Sequence, residues 1–351
     1  MMPHAFGRGA PLTVGVEEEL WVLDPGTLLP TPVPDALLDG ERRKAELHRE
    51  VVELTTGTCA DANEALARLR EGRAEAHRLA ASCDVVLAAS GTWPLADVSA
   101  MSVTPEPGYL EFVEYAGSAA LRQTCAGLHV HVGVESPEAC MAALEWVLPW
   151  LPALLAVSAS SPYLAAEETG LASTRAELLA LLPRGGTPPA FASYEEFDRF
   201  AERLVALGLA DSWRRVWWDA RPHPDFGTLE VRVPDQPTRV AVSAAFAALV
   251  QAMVATAAPG PPADRALYVQ NRFAALRFGA RAELVHPDGD RLVPAPELLA
   301  ELVELVAPAA ERLGSSSLLG PLAGLAQADE QLELGRRSGV RAVCDHLIAG
   351  S

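Results

Sequence analysis

The chain has 351 residues, of which 50% are apolar and 21% charged, an ordinary globular composition that excludes a disordered protein. Its 28 basic and 46 acidic residues leave a net charge of −18, so nucleic acid is an unsuitable partner and an anionic substrate needs cations or a local arginine cluster to hold it. Lys44 is the only lysine, which excludes Schiff-base chemistry elsewhere in the chain, and no Walker-type, H-E-x-x-H or G-x-S-x-G motif is present.

The first predicted element is a strand over 13–24, closed by Asp24-Pro25-Gly26. Side chains alternate on a strand, so Val14, Val16, Glu18, Leu20 and Val22 share one face and Glu17 and Glu19 the other. A β-branched run at 51–56 carries Glu53 and ends at Gly57. Glu46, seven residues before Glu53, reaches the same face only if the intervening chain turns or begins as a helix. Asp61 to Glu64 reads as a capping box opening a helix to about Ser82, and 85–89 as a buried strand followed by a loop over 91–108. The strand over 128–134 again has two faces, with Leu128, Val130 and Val132 opposing His129 and His131. A helix from Ser136 is expected to break at Pro149 and Pro152, 162–189 reads as irregular, and Ser193 caps a helix to about Leu207.

Trp217 to Gly227 holds two tryptophans beside Asp219 and Arg221. Trp218 and Asp219 read as part of a ligand wall, with Arg221 gripping a carboxylate or phosphate. It leads into a strand at 228–233 in which Leu229, Val231 and Val233 oppose Glu230 and Arg232. Arg175, after a hydroxyl-rich loop, and Asn271, in Gln-Asn-Arg-Phe, are further candidates for nucleotide contact. Helices are expected near 238–258, 264–278, 296–312 and over the last forty residues. The apolar 240–258 run is long enough for a bilayer but has no aromatic or basic flank, so it reads as a core helix and no membrane partner is expected. Five cysteines without a C-x-x-C pair, and no leader pattern over residues 1–12, point to a reduced cytoplasmic location.

Strands separated irregularly by helices and loops imply an α+β fold with a largely antiparallel sheet, in one domain over 10–350. If the Glu-x-Glu, His-x-His and Glu-x-Arg strands share that sheet, its second face is strongly acidic. Carboxylates crowded there stay ionised only beside cations, and oxygen ligands with an imidazole suit Mg²⁺ or Mn²⁺. A metal-dependent hydrolase acting through that face, and a non-catalytic protein binding a nucleotide or amino acid, are both open on this pattern.

The segments Gly-Val-Glu-Glu-Glu-Leu, Gly-Leu-His-Val-His-Val-Gly, Ser-Ser-Pro-Tyr, Trp-Trp-Asp-Ala-Arg-Pro-His-Pro-x-Phe-Gly-Thr-Leu-Glu-Val-Arg-Val, and Gln-Asn-Arg-Phe together resemble the glutamate–cysteine ligase type 2 group of carboxylate–amine ligases, over about 12–341. The resemblance implies a glutamine synthetase-like curved sheet, covered by helices and shaped as a funnel that binds ATP and Mg²⁺. It implies that a small-molecule carboxylate is phosphorylated and an amine then displaces phosphate. Glu17, Glu53 and Glu46 would hold one metal ion and Glu19, His129 and Glu230 another. Arg232 would steady the transferred phosphoryl group or the substrate carboxylate, with Glu53 also at the reacting centre and His131 there either as a ligand or as a hydrogen-bonding support to one; a homodimer is left open. Gln270, Trp93 and Gly108 depart from the group's usual Glu, His and Arg, which puts the substrate pocket in question.

Overall fold

Residues 2–351 are described by the computed structural model of the chain. The strands that matter are β1 (Val14–Leu23), β2 (Arg43–Ala45), β3 (Val51–Thr55), β4 (Val86–Ala88), β5 (Leu128–Gly133), β6 (Ala220–His223) and β7 (Thr228–Val231). Among the described residues they form one antiparallel sheet in the order β6-β7-β5-β1-β3-β2, with β4 beside the far end of β1. The α+β class with an antiparallel sheet is therefore as the sequence implies.

Helices α1 (Ala62–Ser82), α2 (Pro107–Ala116), α3 (Pro137–Val147), α4 (Leu151–Ser158), α5 (Thr174–Ala180), α6 (Tyr194–Ala206), α7 (Val240–Thr256), α8 (Arg265–Phe278), α9 (Ala295–Arg312), α10 (Gln327–Ser338) and α11 (Val340–Gly350) complete the fold. α1 begins as a capping box: Asp61 accepts the amides of Asn63 and Glu64, while Glu64 reaches back to the amide of Ala60. Its inward stripe, Ala62, Ala65, Leu69, Arg73, Ala76 and Ala80, recurs every three or four residues. α1 and α7 lie together on the apolar face of the sheet. α7 is buried from Val242 to Val254, the core helix expected of the 240–258 run. A second run, 137–158, is also apolar and long enough to cross a bilayer, and most of it is buried inside the fold. It is interrupted after Val147 by a 3₁₀ turn containing Pro149, as proline chemistry dictates.

Three segments differ from expectation. The loop expected over 91–108 ends two residues early, where Pro107 opens a helix that runs on to Ala116. The irregular 162–189 stretch contains α5, capped by Ser173 on the amide of Ala176. Arg43–Ala45, inside a charged run, is a strand, because the chain doubles back and pairs Lys44 with Glu53.

Candidate active site

Strand registry builds the site. Three rows of side chains cross the face away from α1 and α7: Lys44–Glu53–Glu19, Thr55–Glu17–His129, and Gly15–His131–Glu230–Arg221. Neighbouring strands lie about 4.8 Å apart, so side chains in one row touch. The hairpin from β2 to β3 puts Glu46 on this face too. That is the turn needed for Glu46 and Glu53 to converge. Glu17, Glu19, Glu46, Glu53, His129, His131 and Glu230, along with Arg221 and Arg232, line a single cavity of about 440 Å³.

Candidate ligand atoms lie within 4.8 Å of one another in each of three sets: Glu17, Glu53 and His129; Glu19, Glu46 and Glu53; and Glu17, His131 and Glu230. The grouping implied by the resemblance is thus redistributed. Glu46 shares a set with Glu19, and Glu230 with Glu17 and His131. Glu17 and Glu53 each belong to two sets, because their strands pair with a neighbour on either side.

The electrostatics fit a cation. His129 Nδ1 lies 3.2 Å from Glu17 Oε2, and its Nε2 is 3.8 Å from Glu19 Oε1. Burial and then the Arg232 charge push His129 down to about 3, so the ring is neutral. With Nδ1–H donated to Glu17, the Nε2 lone pair is left toward Glu19. His131 Nδ1 meets Thr228 Oγ1 at 3.1 Å, while its buried Nε2 has no hydrogen-bond partner. That nitrogen sits 3.7 Å from Glu17 and 3.9 Å from Glu230, too far for hydrogen bonds and well placed around an ion.

Burial, then repulsion from Glu46, raises Glu19 to about 7, and burial with Glu17 and Glu46 lifts Glu53 well above the carboxylate range. Burial opposes ionisation of Glu17 and Glu230 as well. The His129 hydrogen bond, with the His131 ring close by, outweighs it at Glu17, and the Arg221 and Arg232 charges outweigh it at Glu230, so both stay well below the usual range. Five carboxylates meet only three basic groups that touch them, Lys44, Arg221 and Arg232. The residues present therefore suit divalent cations.

The remaining candidates divide. Arg232 contacts Glu230 and lines the cavity. Arg221 lines it too, but it donates to both oxygens of Glu230, at 2.6 and 3.3 Å, and to the carbonyls of Arg214 and Val216, so it positions Glu230. Arg175 donates to the carbonyls of Arg232 and Val233, and its buried Nε is left unpartnered. It lines a smaller chamber of about 130 Å³ that adjoins the first through Glu19, Glu46, Tyr109, His129 and Arg232. Three expectations are corrected. Trp218 is no ligand wall: its indole packs among Phe191, Phe197 and Phe200 in the core. Trp217, facing oppositely in the extended chain, is the tryptophan that lines the small chamber. Asp219 is buried against Arg272 and Tyr268 at 2.7 Å each, bracing α8. Asn271 clamps both backbone groups of Val285 and lines neither cavity.

Three residues to which the sequence assigns no role at the site bear on it. Lys44 Nζ lies 3.0 Å from Glu53 at the cavity edge. Tyr109 borders both cavities. Arg73, under the sheet, holds Glu18 through two hydrogen bonds of 2.8 and 2.7 Å; its place in the apolar stripe of α1 is the signal that marks it. Of the departures, Trp93 is fully buried and donates to the carbonyl of Leu28, and Gln270 is exposed on α8. Neither reaches the cavities. Arg215, which lines the small chamber, donates to the carbonyl of Gly108.

The fold is shared with solved structures. The chain is similar to the crystal structure of glutamate–cysteine ligase from Francisella tularensis in complex with AMP, with a TM-score of 0.68 at 15% identity over 96% of this chain and 88% of that one. A bifunctional glutathione synthetase from Pasteurella multocida gives 0.67 at 13% identity, over 96% of this chain and 49% of that one. Residues 13–345 match the glutamate–cysteine ligase family 2 (GCS2), and the chain belongs to that family. It is 37% identical to a Rubrobacter xylanophilus protein proposed to be glutamate–cysteine ligase 2-3, across 99% of both chains. A Solibacter usitatus protein proposed to be glutamate–cysteine ligase 2 is 34% identical, across 96% of this chain and 92% of that one.

Proposed function

We propose that the chain is an ATP-dependent carboxylate–amine ligase. The observation that carries this reading is the unpartnered His131 Nε2 between Glu17 and Glu230, at the edge of three overlapping ligand sets. Those sets would hold Mg²⁺ or Mn²⁺, which when bound neutralises the charge of a triphosphate and of the phosphoryl group in flight. The γ-phosphoryl group passes to a carboxylate oxygen of the substrate, giving an acyl phosphate and ADP. The amine nitrogen then attacks the acyl carbon and gives up a proton as inorganic phosphate leaves. The protein's part is positioning and charge. Arg232 offers its guanidinium beside Glu230, Arg221 keeps Glu230 in place, and the buried rows hold the ligands apart at strand spacing. Membership of the family and the AMP in the Francisella protein support a nucleotide as donor.

Trp93 and Gln270 lie outside both cavities, so they give no support to a relative that has lost catalysis. The test is phosphate release from ATP·Mg²⁺ against a matrix of carboxylic acids and amines. Release that needs both an acid and an amine is expected, falling by roughly a hundredfold or more in Glu17→Gln and in Glu230→Gln. Release surviving both substitutions overturns the site, and amide hydrolysis without ATP would favour a hydrolase.

A further inference from the structure

A triphosphate resting on the ligand sets can send its nucleoside in two directions. Toward Glu19 and Glu46 it meets the chamber of about 130 Å³ behind Cys125, Gln123 and Trp217. That is below the roughly 300 Å³ at which ordinary ligand pockets begin, so it takes a small acid or amine and not a nucleoside. Toward His131 and Glu230 lies the other end of the larger cavity, where Phe226 stands on the wall with 60% of its surface exposed.

Single exposed apolar side chains are common and call for no explanation. Phe226 differs in its placement and in its rigidity. Its ring stacks on His223, centroids 4.1 Å apart and planes within 12°, and meets His131 edge-on at 5.5 Å. His223 in turn is braced edge-to-face by Trp213 at 4.6 Å. The turn from β6 to β7 that carries Phe226 is fixed at several points. The Phe226 amide donates to His223 Nδ1 at 3.3 Å, Gly227 N to the His223 carbonyl at 2.9 Å, and Ala5 N to the Pro224 carbonyl at 2.8 Å. Gly227 has φ +67°, and a Cβ there would stand 2.5 Å from the Ala5 carbonyl, so only glycine closes this turn. The fold thus holds an aromatic face still, open to solvent, beside the ligand set formed by Glu17, His131 and Glu230.

We propose that Phe226 is the shelf on which the purine base of the phosphoryl donor stacks. This rests on the ligase reading for the identity of the donor. A planar base covers the free ring face without needing its edge groups read, and a pre-ordered ring spends little entropy in binding it.

The experiment compares Mg²⁺ complexes of ADP and of inorganic tripolyphosphate by calorimetric titration into wild type, Phe226→Ala and Phe226→Tyr. Loss of one base–aromatic stack weakens ADP by about tenfold in Phe226→Ala. Tripolyphosphate affinity and the melting temperature stay unchanged, and Phe226→Tyr regains most of the ADP affinity. Unchanged ADP affinity in Phe226→Ala, or equal weakening of ADP and tripolyphosphate, overturns the shelf and leaves the ligase reading standing. Wild type that binds nucleotide yet releases no phosphate with any acid and amine overturns the ligase reading, while the same titrations still decide the shelf. Wild type that binds no nucleotide overturns both.

Discussion

Glu18 and its neighbours Glu17 and Glu19 sit on opposite faces of one strand, all of them largely removed from water, and their surroundings could hardly differ more. Glu18, beneath the sheet, is answered by both prongs of Arg73, whose remaining donors go to the carbonyls of Pro237 and Thr238, and by Gln236. Every charge there has a partner in the chain. On the other face Glu19 and Glu53 crowd Glu46, and His131 Nε2 has no partner at all. Burial of a carboxylate is therefore no marker of function by itself; what separates the two faces is whether the protein completes the charge balance.

The comparison can be broken most severely at Glu18. Glu18→Ala leaves a buried guanidinium unpaired and is expected to cost about 3–5 kcal/mol in urea unfolding. Glu53→Gln on the other face removes a crowded charge, and without divalent cations it is expected to raise stability instead. Equal losses at both positions would erase the distinction.

A smaller effect follows from pH. Glu19 titrates near 4.5 in a free chain and at about 7 in the fold, so the folded state binds this proton more tightly. Its stabilising share is complete below pH 4.5 and is lost as pH rises through 7. In EDTA, wild type is expected to lose a few kcal/mol relative to Glu19→Gln across that window, with Mg²⁺ closing the gap. A pH-independent gap in urea unfolding would contradict it. Smallest of all, Gln270→Glu changes an exposed position outside both cavities, so stability should stay within about 0.5 kcal/mol and substrate KM unaltered.

Much of this face was legible in the sequence, because strand alternation alone separates Glu17 and Glu19 from the apolar residues of β1, and likewise His129, His131, Glu230 and Arg232 from theirs. Pairing between strands was not, and pairing decides that Glu46 joins Glu19 while Glu230 joins Glu17. Alternation also says that Trp217 and Trp218 point apart without saying which points inward, and the core took Trp218. Asp219 and Asn271 look like ligand residues by type. Their partners, Arg272, Tyr268 and the Val285 backbone, lie 14 to 53 positions away, where no local pattern reaches. The sequence marks out the Trp217–Gly227 segment that holds Phe226, but not the placement of its ring: exposure of an aromatic ring is a property of the folded surface.

The dependence of the ligand rows on strand registry has a consequence for assembly of the molecule. Shifting β1 by one position against its neighbours would bring Glu18 to the working face and bury Glu17 and Glu19 against α1 and α7. Such a molecule would be both inert and unstable. Misassembled copies should therefore be cleared as unfolded chains, and the purified protein should show a uniform specific activity with no half-active fraction.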